Sequence, residues 1–230
     1  MKVLVTGATG FLGSRASRLF EEHGHEVVRL GRPGGSERAG VTADVRSDAG
    51  DPASRELIAG CDAVLHFAGI PDPARAREDP ARAVRENVGT TLNLLEGCLE
   101  HGAGLVYPST VRAALVPPAD PYAHSKRLGE EACRLHEAPT LVAERRWNET
   151  VLIASGRSTP LLTAAQLVRE AAGSPSPIET PGGELPAGEN ESYQAAPEAP
   201  LPLNLSLEEG IRRYVDWLKS HPAAQVRCRA

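Results

Sequence analysis

At 230 residues the chain is long enough for one well-buried core, or for one full domain with a smaller appendage. Its net charge is −5, with acidic and basic residues interspersed. That balance argues against a nucleic-acid partner or an anionic membrane surface and leaves a small-molecule substrate as the expected ligand. No apolar run approaches bilayer length, and the amino terminus runs at once into a glycine-rich strand unit unlike a signal peptide, so a cytoplasmic location is expected. Cys61, Cys98, Cys133 and Cys228 are far apart and lack paired metal-ligand spacing. They read as reduced structural thiols, with no metal site.

Residues 2–6 form a short β-branched run, followed by Gly7, Gly10 and Gly13 and then an amphipathic stretch at 11–23. A strand, a glycine turn and a helix in that order build a phosphate site. Gly7 permits the tight turn, Gly10 lets a pyrophosphate approach the backbone, and Gly13 lets the helix pack close to the strand. The free N–H groups and positive dipole end of the helix then face the anion. The same triplet alone would also serve a plain strand-to-helix turn; a second strand at 26–30 favours the dinucleotide reading.

Strand-like runs at 40–44, 63–67 and 104–108 alternate with helical stretches at 52–59, 80–101 and 121–136. Asp51-Pro52, Asp79-Pro80 and Asp120-Pro121 each place an acidic cap before a proline at the first helical position. This alternation predicts an α/β fold, a doubly wound parallel sheet covered on both faces. Beyond 136 the pattern weakens. Strands are expected at 140–146 and 150–154, and a helix at 163–172 opened by Thr163. A segment at 174–202 with seven prolines reads as extended surface chain. A last amphipathic helix at 206–220 has Ser206 and Glu209 as a capping box and Leu207, Ile211, Tyr214, Val215 and Leu218 as its apolar stripe. The expected division is residues 1–146 as the dinucleotide-binding domain and 147–230 as an abbreviated carboxyl-terminal lobe.

Tyr122 and Lys126 are four apart at the start of a predicted helix, so both side chains leave one face. An ammonium beside a phenol stabilises the phenolate and lowers its pKa, which would make Tyr122 a general acid/base. The pair also has a purely structural reading. Ser109 and Thr110 follow a predicted central strand, at the edge where open parallel sheets bind ligands. They can hydrogen-bond a substrate oxygen, or simply cap a turn.

The chain resembles an extended short-chain dehydrogenase/reductase of the NAD-dependent epimerase/dehydratase kind. Five segments carry the likeness, in family order: Thr6-Gly-Ala-Thr-Gly-Phe-Leu-Gly13, Ala43-Asp44-Val45-Arg46, Asp62-Ala-Val-Leu-His-Phe-Ala-Gly69, Asn87-Val-Gly-Thr-Thr-Leu-Asn-Leu-Leu-Glu96 and Tyr122-Ala-His-Ser-Lys126. The resemblance implies a Rossmann domain with a small, truncated substrate lobe. It implies that Gly7, Thr9, Gly10, Phe11, Leu12 and Gly13 hold the cofactor's phosphates, that Asp44 and Val45 meet the adenine, and that Phe67, Ala68 and Gly69 line the cofactor. Lys126 would hold the nicotinamide ribose, Tyr122 would be the catalytic base, and Thr110 or Ser109 its hydroxyl partner. Asn87 would lie on a helix that supports the site and, with the Tyr122 helix, forms a homodimer interface.

Two departures qualify that picture. Gly31 stands where NAD-preferring members carry an acidic residue, and Arg32 follows it; an arginine fork suits a 2′-phosphate, so NADP is expected over NAD. Arg32 is otherwise a solvated loop charge. The chain also passes quickly from 146 to 150, as though much of the family's substrate lobe were removed. The expected activity is proton transfer by Tyr122 with hydride transfer at a hydroxyl or ketone of a sugar or sugar nucleotide. A reductase of non-sugar carbonyls and a non-catalytic NADP-binding sensor are the alternatives.

Overall fold

The computed structural model describes residues 1–35, 41–118, 120–136, 159–179 and 205–220. The chain divides into two compact units, Met1–Glu149 and Thr150–Ala230. The expected strands at 140–146 and 150–154, most of the proline-rich stretch, and Cys228 lie outside the described residues.

The first unit is built on a five-stranded parallel sheet: β1 (Lys2–Thr6), β2 (Glu26–Gly31), β3 (Val45–Arg46), β4 (Ala63–His66) and β5 (Gly104–Val106), in the order β3-β2-β1-β4-β5. Central β1 is buried on both faces, and its side chains divide by parity. Val3 and Val5 join Ala63, Leu65 and Phe20 on the side of helix α1 (Phe11–Glu22). Leu4 joins Leu30, Ile58, Val64, Leu94, Leu95 and Leu105 on the other. That second core also takes in Cys61, Cys98 and Cys133, all buried as free thiols. Burial raises the pKa of each, Cys98 to about 12 and Cys133 to about 11, so they remain protonated and inert.

The helix starts follow the acidic caps. Asp51 Oδ1 accepts from Ala53 N–H, Asp79 Oδ1 from Arg82 N–H and Asp120 Oδ1 from Ala123 N–H, each at 2.9 Å. Residues Pro52–Ile58 wind as a 3-10 helix rather than an α-helix. A fourth start, Asp72-Pro73, opens the short helix α2 (Pro73–Glu78), which the periodicity did not indicate. The expected 80–101 helix is α3 (Pro80–Val84), a π turn (Arg85–Gly89) and α4 (Thr90–His101). Helix α5 (Pro121–Leu135) carries Tyr122 and Lys126.

The third strand differs from expectation: the ladder begins at Leu30 opposite Val45, not within 40–44, of which residue 40 is undescribed. One residue earlier, Asp44 Oδ2 accepts from Arg29 N–H at 2.9 Å, a side-chain bond on a backbone donor at the sheet edge.

In the second unit, α6 (Leu161–Ala172) starts two residues before Thr163, with Pro160 at its N-cap, and no side chain caps it. In α7 (Leu207–Ser220) Ser206 Oγ accepts from Glu209 N–H at 3.1 Å. The Glu209 carboxylate pairs with Arg212 and Arg213 instead of closing the box. Of the expected stripe Val215 alone is buried, while Leu207, Tyr214 and Leu218 are exposed. Lys219 Nζ donates to Ala171 O at 2.9 Å and ties the two helices.

Candidate cofactor and active site

The glycine turn after β1 is a backbone cradle. Gly7 has φ +64°, and a Cβ there would lie 2.8 Å from the backbone of Phe67 and Ala68. A Cβ on Gly13 would strike the Gly7 carbonyl, so α1 lies directly against the turn. Gly10 occupies the N-cap with extended backbone and no side-chain cap bond. The first turn of α1 therefore directs its amides where an anion such as a dinucleotide's pyrophosphate could be held. Thr9 is buried behind this turn, while Phe11 and Leu12 are exposed at its rim.

A cleft opens where the carboxyl ends of β4 and β5 meet the first turn of α5. Of the residues expected at the site, Leu12, Phe67, Ala68, Gly69, Asn87, Ser109, Tyr122 and Lys126 line it. His66, Ile70, Pro71, Tyr107 and Pro108 also line it and were not singled out from sequence. Parallel-sheet logic pointed to this edge, but only the strand ends and the register decide which neighbours of the motif residues face inward.

Asn87 is the joint of the site. It sits in the π turn, where its Oδ1 accepts from Ile70 N–H at 2.7 Å and its Nδ2 donates to Ile70 O at 3.1 Å and Ser125 Oγ at 2.8 Å. Ser125 Oγ in turn donates to Tyr122 O at 2.7 Å. Gly69, with φ +139°, leaves room for this clamp; a Cβ there would be 2.6 Å from Asn87 Oδ1.

The cation–π partner of the Lys126 ammonium is Tyr107, not Tyr122. The ammonium sits over the Tyr107 ring, 4.1 Å from the centroid, and burial brings the lysine pKa down to about 8. Tyr122 is held above the ordinary phenol value, first by burial and then by Asp120, with Arg112 opposing. The lowered phenol expected from helical spacing is thus not what this arrangement gives: a shared face does not fix where a flexible lysine ends. Arg112 Nε and Nη2 donate to Asp120 Oδ2 at 3.1 and 2.6 Å, and Arg77 approaches the same oxygen at 3.9 Å.

The two candidate hydroxyls have separate partners. Ser109 lines the cleft and donates to Glu130. Thr110 is outside the lining and accepts from Arg112 N–H at 3.4 Å, capping the 3-10 helix Val111–Ala114. Around the expected adenosine end, Asp44 is engaged by Arg29, whose Nη1 donates to both carboxylate oxygens at 3.2 Å. Val45 packs on the core, and Arg32 is exposed beside Gly31. Arg46 Nη1 donates to the carbonyls of Arg32 and Gly35, holding that turn. Among the described residues no cluster of ligating side chains could hold a metal, and no helix is long and apolar enough to cross a membrane.

A doubly wound sheet with this glycine cradle beside a tyrosine and lysine cleft defines a Rossmann-type α/β protein. The chain belongs to the NAD dependent epimerase/dehydratase family, whose model matches residues 3–140. It is 36% identical over 115 residues to a UDP-glucose 4-epimerase of Corynebacterium glutamicum, a match covering 48% of this chain and 35% of that protein. It is 35% identical over 152 residues to a 2-alkyl-3-oxoalkanoate reductase of Stenotrophomonas maltophilia, covering 64% of this chain and 45% of that one. The chain thus spans less than half the length of either relative. The Thermus thermophilus UDP-glucose 4-epimerase, solved with NAD, superposes with a TM-score of 0.73 at 22% identity over 96% of this chain and 99% of that one, a likeness of fold.

Proposed function

We propose that this protein is an NAD(P)-dependent oxidoreductase of the short-chain dehydrogenase/reductase kind, acting on a hydroxyl or ketone of a sugar or sugar nucleotide. The observation that carries the reading is one cleft containing Tyr122 and Lys126 together with the Ala68 and Gly69 turn that backs the glycine cradle.

The residues fit a dinucleotide. Gly7, Gly10 and Gly13 with the first turn of α1 would hold the pyrophosphate, Ala68 and Gly69 would line the nicotinamide half, and Lys126 would reach its ribose. When bound, the nicotinamide supplies hydride transfer. Tyr122, kept protonated by burial and Asp120, is suited to donate its phenolic proton to a ketone oxygen in the reductive direction. In the opposite direction the phenolate must be stabilised, and swinging the Lys126 ammonium from the Tyr107 ring towards Tyr122 would do that. Ser109, at the mouth of the cleft, is better placed than Thr110 to bond the reacting oxygen.

NADP remains the favoured dinucleotide. A Cβ at Gly31 would lie 2.8 Å from Ala43 Cβ, so no carboxylate can stand there without displacement, and Arg32 is exposed one residue on. Arg32→Ala should weaken NADP binding about tenfold while leaving NAD binding nearly unchanged, as loss of a charge-assisted phosphate contact would. Tighter NAD binding by the unaltered chain would reverse the preference. A homodimer belongs to the same reading, supported by Leu99 on α4 and Leu128 and Leu135 on α5, which are exposed. So does a cytoplasmic location.

The decisive experiment is Tyr122→Phe, assayed with a panel of sugar nucleotides and simple ketones. Turnover should be abolished with cofactor affinity unchanged; unaltered turnover removes Tyr122 from the mechanism. A second reading, reduction of a non-sugar carbonyl, is favoured by the match to the oxoalkanoate reductase, which extends over 152 residues. Turnover of 3-oxo acids but not of sugar nucleotides would select it.

A further inference from the structure

His66 is the last residue of β4, is 2% exposed, and carries a titratable ring that the proposed chemistry does not use. Its two nitrogens meet two threonines: Nδ1 is 2.9 Å from Thr6 Oγ1 and Nε2 is 3.1 Å from Thr91 Oγ1. The direction of these bonds follows from their neighbours. Thr91 donates its hydroxyl proton to Asn87 O at 2.7 Å, so it must accept from His66 Nε2–H. Burial and the nearby Lys126 charge push the imidazole pKa down to about 3, so the ring is neutral and Nδ1 is bare. Thr6 therefore donates to Nδ1, while its oxygen accepts from Ala68 N–H at 3.2 Å. The result is a chain with one polarity, from the Ala68 amide through Thr6, His66 and Thr91 to the Asn87 carbonyl.

Both ends of that chain touch the functional cleft. Ala68 begins the turn that would line the nicotinamide half of a cofactor. Asn87 grips the same turn at Ile70 and, through Ser125, the carbonyl of Tyr122. We propose that His66 is a positioning residue, which with Thr6 and Thr91 locks the 68–70 turn to the π turn at Asn87 and so sets where Tyr122 stands relative to a bound dinucleotide. The inference rests on the functional reading above and adds to it a residue at the base of the cleft that acts through the turns it joins.

A histidine is suited to this task because a neutral imidazole accepts at one nitrogen and donates at the other, on opposite sides of a rigid ring. The span from Thr6 on β1 to Thr91 on α4 is bridged by one rigid ring. Phenylalanine fills the space without either bond, and it leaves both threonine hydroxyls short of a partner.

The test uses the full chain with Thr91→Val, Thr91→Ser and His66→Phe. Amide hydrogen exchange is measured without ligand, and NADP and NAD binding by calorimetry. Thr91→Val should raise exchange at Ala68 and Ile70 at least tenfold and weaken dinucleotide binding about tenfold, the size of one lost buried hydrogen bond. Thr91→Ser should restore both, and His66→Phe should reproduce the losses. If Thr91→Val does not fold, Thr6→Val with Thr6→Ser tests the other end of the chain by the same two readouts. Variants that lower only the melting temperature, with exchange at 68 and 70 and dinucleotide affinity as in the unaltered chain, overturn the proposal. Failure of the unaltered chain to bind either dinucleotide would instead overturn the functional reading, and it would be seen before any variant is compared; the exchange measurement then decides the locking of the turn by itself.

Discussion

The ammonium of Lys126 rests on the face of Tyr107, 4.1 Å from the ring centroid, and the Tyr107 hydroxyl donates back to the Lys126 carbonyl at 3.3 Å. The ring reaches this position because residue 129, one turn further along α5, is glycine; a Cβ there would collide with the Tyr107 hydroxyl. With burial already drawing the lysine down to about 8, the ring's negative face holds part of its charge in place. Tyr107→Leu removes that partner, so the Lys126 pKa should fall further, by about 1 unit for a largely desolvated cation–π pair. Carbon NMR of the dimethylated lysine reads it directly; an unchanged or higher value would show that the ring does not stabilise the charge.

Gly69→Ala should uncouple the cofactor turn from the π turn. The backbone at 69 has φ +139°, and the added methyl would meet Asn87 Oδ1 at 2.6 Å. Strain of about 1–3 kcal/mol for the backbone combines with loss of the Ile70 clamp. Urea unfolding should show a fall of at least about 2 kcal/mol, and a stability within error of the unaltered chain would contradict the clamp.

Asp120 has a fully buried side chain, caps α5, and accepts from Arg112. Burial alone would raise its pKa, but the Ala123 amide and the Arg112 guanidinium together hold it below the usual carboxylate value. Its ionised form therefore contributes stability above pH 4, lost as pH falls through the depressed native value. Asp120→Ala should cost about 3–5 kcal/mol by leaving the arginine's charge without this carboxylate. Asp120→Asn, which can keep the cap bond, should recover about 1 kcal/mol of that. Equal losses for the two variants, measured by denaturant titration, would show that the cap contributes nothing.

The buried neutral imidazole of His66 makes its own contribution to acid sensitivity. Its pKa is about 3 in the folded chain, against about 6.5 when unfolded. Between those values the unfolded state binds a proton that the native state does not, so stability falls as pH is lowered from 6.5 towards 3, by up to about 1.4 kcal/mol per pH unit. In His66→Phe that part of the slope should vanish even though the variant is less stable at neutral pH. A slope equal to that of the unaltered chain would mean that His66 titrates normally.

The elements legible from the chain were those whose signals are local. The parallel sheet followed from alternating apolar runs, and the acidic caps before proline each appeared where expected because capping involves only three or four neighbouring residues. Helix α2 carries the same signature at Asp72-Pro73 but has just six residues, too few for a periodic pattern to register. The third strand was misplaced by a few residues because its start depends on Asp44 meeting Arg29, two residues fifteen apart. The glycine cradle and the Tyr122 and Lys126 pair were readable as motifs, whereas the roles of Ser109 and Thr110 separated only when Glu130 and Arg112 were seen beside them.

By itself the amino-acid order determined the sheet, the glycine turn and the family, since each depends on backbone preferences and spacings repeated along the chain. The tertiary structure alone decided that Lys126 faces Tyr107, that Asn87 grips Ile70, and that His66 stands between two threonines. Those contacts join groups from separate stretches of the chain, and the polarity of the His66 pair depends on which hydroxyl has already given its proton elsewhere. Spacing along one chain carries no information about that.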